Sequence, residues 1–470
     1  MRYVSTRGQA PVLGFSDALL AGLARDGGLY VPETWPTLAH ATIASFSGKP
    51  YWQVAEAVIA PFIGDEIPAP VLRHMLQEAY GAFTHPAVTP LIQIGDSLFV
   101  QELFHGPTLA FKDVAMQLLA RLMDHVLKER GQRATIVGAT SGDTGSAAIE
   151  AFRGLEQVDI VILYPHGRVS DVQRRQMTTV TAPNVQAVAL EGNFDDCQGQ
   201  LKAMFNHHAF RDEIGLSGVN SINWARIVAQ IVYYFTAAVA LGAPHRPISF
   251  AVPTGNFGDI FAGYVAKRMG LPIERLLIAT NVNDILARTV GTGVYEARGV
   301  VETTSPSMDI QVSSNFERLL FDAHKRDAAQ LRGLMASLAQ SGAFEIEFSA
   351  MEAIREDFDA ERADEREVAN AIGLVWREAG YLLDPHTAIG VVAAWKSERD
   401  RTVPMVVLAT AHPAKFPAAV RAASGVEPKL PDTMADLHER PERFTVLPND
   451  QIAIEEFVRR HSRAAQGAPV

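Results

Sequence analysis

Lys112 is the residue whose surroundings could make a nucleophile. It sits in the run Phe104-His105-Gly106-Pro107-Thr108-Leu109-Ala110-Phe111-Lys112-Asp113. A strand-like stretch, Leu98 to Leu103, leads in, and Gly106 and Pro107 force a turn because glycine tolerates positive φ and proline fixes φ. Beyond it, Ala115, Leu119, Leu122 and Val126 share one helical face. Lys112 is therefore expected at a helix N-terminus, between Phe111 and Val114 and near the positive end of the helix dipole. Apolar walls and positive potential both disfavour an ammonium, which suits a lysine that must lose its proton and attack. A lysine snorkelling to solvent beside a loop is the competing reading.

Three further segments could hold a ligand. Gly255-Asn256-Phe257-Gly258-Asp259 joins a strand, Ile248 to Val252, to a helix. Its glycines let backbone amides converge at a helix N-terminus, a phosphate cradle without a lysine. It is neither a Walker loop nor the dinucleotide fingerprint, and a plain tight turn is the alternative. Thr140-Ser141-Gly142-Asp143-Thr144-Gly145 is the same device with hydroxyls added, suited to a carboxylate or phosphate. Its alternative is an ordinary helix start capped by Asp143. Thr410 ends a late strand, Val403 to Leu408, where a hydroxyl could donate to a neutral ring nitrogen or cap a turn. His105, His207 and His208 lack partners at metal-ligand spacing, so no metal site is expected.

Positioning these segments requires a particular frame. Residues 1–90 read as helical and loop-rich: Ser16 is expected to cap a helix, and further helices run from Tyr51 to Ala60, ahead of Pro61, and from Ala69 to Phe83. This part reads as a packing or oligomerisation module. From Ile92 short apolar strands alternate with helices: strands at Thr135 to Val137, Asp159 to Leu163, Val185 to Leu190 and Arg275 to Thr280, and helices through Ile149, Ser170 to Met177 and Asp195 to Phe205. That rhythm predicts an α/β fold of parallel sheets with helices on both faces. A long helix from Ser221 is expected to be buried, not membrane-spanning, since its apolar run holds Gln230 and Thr236 and ends at Pro244. Residues Phe316 to Ala379 read as helical, and the polar tail past Pro428 carries one helix near Asp450 to Arg463.

The chain has 470 residues, 48% of them hydrophobic and 20% charged, values of a packed protein of two or three domains. A net charge of −11 argues against nucleic acid or anionic membrane as a partner, and any anionic substrate would need a locally positive pocket. Cys197 is the sole cysteine, which excludes an intrachain disulfide and fits a reducing compartment; the N-terminus lacks a signal-peptide apolar core, so a cytoplasmic location is expected. One cofactor would use all the segments together. Pyridoxal 5'-phosphate has an aldehyde for Lys112, a phosphate for residues 255–259 and a ring nitrogen for Thr410, leaving the 140–145 turn for an amino-acid carboxylate.

In order along the chain, these segments and two more, Asn220-Ser221-Ile222-Asn223-Trp224-Ala225-Arg226 and Thr410-Ala411-His412-Pro413-Ala414-Lys415-Phe416, resemble those of the bacterial and fungal threonine synthases. Tyr3 to Arg7 and Asp26 to Pro32 are similar to that family's extra N-terminal domain. The resemblance implies a fold-type II pyridoxal-phosphate enzyme, tryptophan synthase β-like, with two doubly wound αβα units. It implies an N-terminal domain over 1–90, a catalytic core over 91–428 with a smaller unit near 132–215 inserted in a larger one, and a tail over 429–470.

The reaction implied is O-phospho-L-homoserine plus water to L-threonine plus phosphate, by γ-elimination and β-addition, with Lys112 holding the aldehyde and then serving as base. Cofactor contacts are expected from Lys112, Gly255, Asn256, Phe257, Gly258, Asp259 and Thr410. Substrate contacts are expected from Thr140, Ser141, Gly142, Asp143, Thr144, Asn223, Arg226, Ser314, Asn315 and Arg318. The competing functions are another fold-type II lyase, such as a serine/threonine dehydratase or β-replacement synthase, and a silent ligand-binding paralogue. A monomer or homodimer acting on small molecules fits either lyase.

Overall fold

In the computed structural model, which describes residues 1–466, the strand–helix alternation builds two sheets. The larger has the order Phe358–Arg362, Ile273–Thr280, Ile248–Pro253, Met405–Ala409, Leu98–Glu102, Leu91–Gly95. Neighbours run parallel except for the edge strand Leu91–Gly95, which is antiparallel to Leu98–Glu102. Every residue of the central strands Ile248–Pro253 and Met405–Ala409 is buried. Helices cover both faces, so the inside–outside alternation of a half-exposed strand disappears. The smaller sheet, all parallel, has the order Thr445–Leu447, Val185–Leu190, Val158–Pro165, Ala134–Ala139, Leu216–Ser217. Residues 103, 140, 254 and 410 follow the carboxyl ends of strands, where open α/β sheets gather ligands.

Helix Trp224–Ala240 is apolar nearly all round and correspondingly buried, packed against Tyr51–Ile63 and Lys112–Glu129. Among the described residues no helix is long and apolar enough to cross a membrane. The N-terminal region is anchored to that helix: Trp224 Nε1 donates to Tyr3 Oη (3.2 Å), which donates to the Phe62 carbonyl (2.6 Å).

Four local expectations change. Ser16 does not cap its helix, Phe15–Ala21; instead the Glu66 carboxylate accepts the amides of Phe15 and Ser16, satisfying from another helix's approach what a cap would satisfy locally. Helix Tyr51–Ile63 runs through Pro61, its last turn held by Phe62 and Ile63, both fully buried. The stretch from 316 to 379 is interrupted by Ala343–Glu345 and Phe358–Arg362, the second being the edge strand of the large sheet. The tail is not a separate unit as far as 466. Thr445–Leu447 extends the smaller sheet, and helix Gln451–His461 buries Ile454, Phe457 and Val458 against Cys197, Met204 and Phe210. Arg463 also pairs with Asp159 at 2.7 Å.

Ile454→Ala should therefore cost about 3 kcal/mol, the usual penalty for emptying a filled core site, read as a lowered midpoint in urea denaturation. A free-standing tail would show no change.

Candidate active site

Lys112 is the first residue of helix Lys112–Glu129. The turn before it closes on Asp113, whose Oδ1 accepts the Thr108 hydroxyl (2.7 Å) and whose Oδ2 accepts the Thr108 amide (2.7 Å). A Cβ on Gly106 would stand 2.5 Å from the Cβ of Asp113, so the turn admits only glycine there. The loop is then zipped to the end of strand Met405–Ala409. The amide of Leu103 donates to the Ala409 carbonyl (3.0 Å), that of Phe111 to Thr410 (2.8 Å), and that of His412 to Leu109 (3.0 Å). This ladder brings the buried Thr410 beside the lysine loop, as the sequence reading required.

Lys112 is 8% exposed, with Nζ 5.1 Å from the Phe111 ring centroid and 3.6 Å from Asp143 Oδ2. Burial lowers its affinity for a proton; Asp143 opposes that effect, and Lys415 and Arg226 add to it. Asp143 is not a helix cap. The helix Asp143–Phe152 starts on it, and its carboxylate accepts from Lys415 Nζ (2.7 Å) and Gln173 Nε2 (2.8 Å). Burial works against that negative charge, but the Lys415 and Lys112 ammoniums outweigh it and hold Asp143 far below the usual carboxylate range. The turn is braced by Thr140, whose Oγ1 accepts the amides of Gly142 and Gly145, both at 2.9 Å. At the helix head the amides of Asp143 and Thr144 have no partner within the helix, with Ser141 and Thr144 half-buried beside them. Asp143 is thus a counter-ion, and its amide is the part left to meet a substrate carboxylate.

The 255–259 turn leads into helix Gly258–Arg268, with Phe257 in the left-handed region at φ 64°. Its carbonyls are taken up from outside: Ser313 Oγ donates to Gly255 O (2.6 Å), and Asn315 donates to Asn256 O from its amide (3.1 Å) and Nδ2 (2.9 Å). The amides at the helix head remain as anion ligands. A Cβ on Gly255 would meet the Ser307 carbonyl at 2.9 Å. The Asp259 side chain faces the core instead: it accepts the hydroxyls of Tyr233 and Tyr234, and burial pushes it up to about 7. Only its backbone can serve the turn.

The residues expected at a substrate phosphate separate clearly. Asn223 caps helix Trp224–Ala240 through the Ala225 amide (3.0 Å) and donates to Leu19 O (2.9 Å). Arg318 donates to Tyr30 O (3.1 Å), Ile222 O (2.6 Å) and Asn315 Oδ1 and lies over the Trp224 ring. Asn223, Asn315 and Arg318 are therefore braces between the N-terminal region, segment 220–226 and the glycine turn. Ser314 is hydrogen-bonded to Asn256 Oδ1 at 3.3 Å and is open to solvent on that side. Arg226 differs. It is 2% exposed, donates to Val219 O (3.2 Å), and has a buried Nε with no partner. Burial lowers it to about 10. No carboxylate salt-bridges it among the described residues, which leaves its charge without a protein counter-ion.

Two residues were not assigned from sequence: Gln173, and Lys415, a fully buried lysine in a single-turn helix, Pro413–Lys415. The only signal for Lys415 was a lysine inside the apolar run Pro413-Ala414-Lys415-Phe416. The assembled donor set is an amine with a weakened hold on its proton, a helix-head turn, a buried threonine hydroxyl and a guanidinium with an unpaired Nε. It fits a group with an aldehyde, a phosphate and a ring nitrogen, with an anionic substrate beside it.

Family profiles match three stretches: "Threonine synthase N terminus" over residues 2–80, "Pyridoxal-phosphate dependent enzyme" over 83–410, and "Threonine synthase, C-terminal" over 387–458. The chain is 54% identical to a threonine synthase of Pseudomonas aeruginosa over the full length of both. It is 65% identical to a threonine synthase of Brucella melitensis whose crystal structure is described as bound to pyridoxal phosphate, with a TM-score of 0.97, covering 98% of this chain and 100% of that one. The yeast threonine synthase structure matches at 39% identity and a TM-score of 0.93, covering 98% of each chain.

Arg318→Ala would strand the carbonyls of Tyr30 and Ile222 and the Asn315 side chain. At about 1 kcal/mol or more for each buried group left unpaired, stability in urea denaturation should fall by about 3 kcal/mol. Arg226→Met, which removes a buried cation lacking a counter-ion, should change it by less than about 1 kcal/mol or raise it.

Proposed function

Because the chain belongs to the threonine synthase family of pyridoxal-phosphate-dependent enzymes, we propose that Lys112 bears the cofactor, that the amides of residues 255–259 hold its phosphate, and that Thr410 faces its ring nitrogen. The activity is that of a lyase converting O-phospho-L-homoserine and water to L-threonine and phosphate by γ-elimination and β-addition, in threonine biosynthesis. A dehydratase or a silent paralogue is disfavoured by full-length identity to threonine synthases. The observation that carries this reading is Arg226 near Lys112: a buried cation with an unpaired Nε and no carboxylate partner, suited to a second anion such as a phosphorylated substrate supplies.

When bound, pyridoxal phosphate supplies an electron sink for charge developing on carbons next to the substrate amine. The protein's part is positional and electrostatic. The helix head at Asp143 and Thr144, with Ser141, receives the substrate carboxylate. Arg226 receives the phosphate and steadies the charge gained as the bond to Cγ breaks, with Ser314 at the mouth of the glycine turn. Lys112 Nζ, whose hold on a proton is weakened by burial, takes the proton at Cα and, once it has passed that proton on, takes one at Cβ. Thr410 donates a hydrogen bond without contributing a charge, so no carboxylate there holds a ring nitrogen protonated. Action on small molecules alone, as a cytoplasmic monomer or homodimer, belongs to the same proposal and accords with the net charge of −11.

Purified protein should form threonine from phosphohomoserine, and Lys112→Ala should reduce that by at least about 1,000-fold. Borohydride reduction and peptide mapping should place the cofactor's mass on Lys112. Cofactor mass on any other lysine overturns the assignment. Arg226→Met should raise KM for phosphohomoserine about 100-fold, the worth of a charge-assisted bond, while cofactor binding persists.

A further inference from the structure

Lys415 has no part in the chemistry above, yet no cation near Lys112 is more completely enclosed. Its side chain is fully buried; Nζ lies 2.7 Å from Asp143 Oδ1 and donates to the Thr108 carbonyl at 2.7 Å. Lys112 Nζ stands 3.6 Å from the other oxygen of the same carboxylate. Two amines thus share one carboxylate, and the closer amine is the one that does no covalent work. Three charges bear on Lys112: Asp143 from helix Asp143–Phe152, Lys415 from the turn Pro413–Lys415, and Arg226 from helix Trp224–Ala240. Asp113 and His412 lie within the field of Lys415. Asp113 is bonded to Thr108, and burial holds His412 down to about 4, neutral at ordinary pH.

We propose that Lys415 is a positioning residue that keeps the Lys112 amine available as a nucleophile, by claiming the Asp143 carboxylate that would otherwise hold that amine as an ammonium. The proposal rests on Lys112 being the cofactor-bearing residue. An opposite charge within a few ångströms favours the charged form of a group by about 1–3 pH units. With Lys415 on its nearer side, the carboxylate is already compensated, and Lys112 faces burial and the Arg226 charge. Lys415 is fixed by the carbonyl of Thr108, the residue that also closes the turn before Lys112. Nucleophile, carboxylate and compensating cation are thereby locked in one frame. Full enclosure leaves Lys415 no path to a substrate.

The test follows Lys112 itself, in the full-length protein stripped of cofactor. Methylation by formaldehyde and cyanoborohydride is run across pH, and labelling at Lys112 is read by peptide mass mapping. Lys415→Met should raise the pH midpoint of labelling by about 1 unit or more, because Asp143 is then left to Lys112 alone. Lys415→Arg should stay near the wild-type midpoint. Asp143→Asn should move it down, because Lys415 and Arg226 remain as like charges. A packing role would give no such opposition of sign. An unchanged or lowered midpoint in Lys415→Met, or equal-signed shifts in Lys415→Met and Asp143→Asn, overturns the proposal. Where Lys415→Met does not fold by circular dichroism, Asp143→Asn decides: a downward shift supports the proposal, and any other result sinks it. Borohydride-fixed cofactor mass on a lysine other than Lys112 would instead defeat the underlying reading, whatever the midpoints.

Discussion

A buried amine can be a nucleophile only if it is denied its proton without being left as an uncompensated charge. Here that constraint is met by a network centred on one carboxylate, Asp143, bonded to Lys415 and Gln173 and facing Lys112. The network exists because three separate backbone devices converge: the turn closed on Asp113, the helix head at Asp143, and the ladder tying residues 103–111 to 409–412. Two of these follow carboxyl ends of parallel strands in different sheets, so the site depends on both sheets and on how the chain crosses between them.

The electrostatics of the whole chain and of the site have opposite signs. Net charge is −11, yet Lys112, Lys415, Arg226 and Arg318 are all buried. Burying four cations is tolerable only because each is given a different remedy. Lys415 has a carboxylate and a carbonyl, Arg318 has carbonyls and an amide oxygen, and Lys112 has a weakened proton affinity. Arg226 alone has an unsatisfied nitrogen. An anionic substrate would enter against the global field and complete the local balance.

What was legible in the sequence was local. Lys112 at a helix start, the glycine turns after strands and Thr410 at a strand end are set by neighbours within a few residues, and the structure places each so. Partners far along the chain were not legible. Glu66 caps the helix at Phe15, Tyr30 accepts from Arg318, and Thr445–Leu447 pairs with a strand at 185–190. Asp143 looked like a cap because it stands one residue from the cap position, which Gly142 holds; only the fold reveals two lysine amines beside it. Their contexts, Asn-Trp-Ala-Arg and Ser-Ser-Asn-Phe-Glu-Arg, also made Asn223, Asn315 and Arg318 look like ligands, since a brace and a ligand use the same residue types.

Two of the six non-glycine residues with positive φ among the described residues lie in the loops of the site, where rigidity matters. Leu109 and Phe257 adopt positive φ, 60° and 64°, in the lysine loop and the glycine turn. Each costs of order 1–3 kcal/mol and persists only where its surroundings overdetermine it. Both surroundings do. Leu109 O accepts the His412 amide, and its side chain packs with Val172, Met434 and Leu437; Phe257 meets Phe316 edge-on and Phe358 at a tilt and is almost fully buried. Relaxing either residue would swing an amide group away from where the cofactor's phosphate or the lysine helix needs it. The braces at Asn315 and Arg318 therefore belong to the chemistry even though both are engaged by protein groups. They hold the turn in a conformation it would not keep by itself, and so fix where an anion can bind.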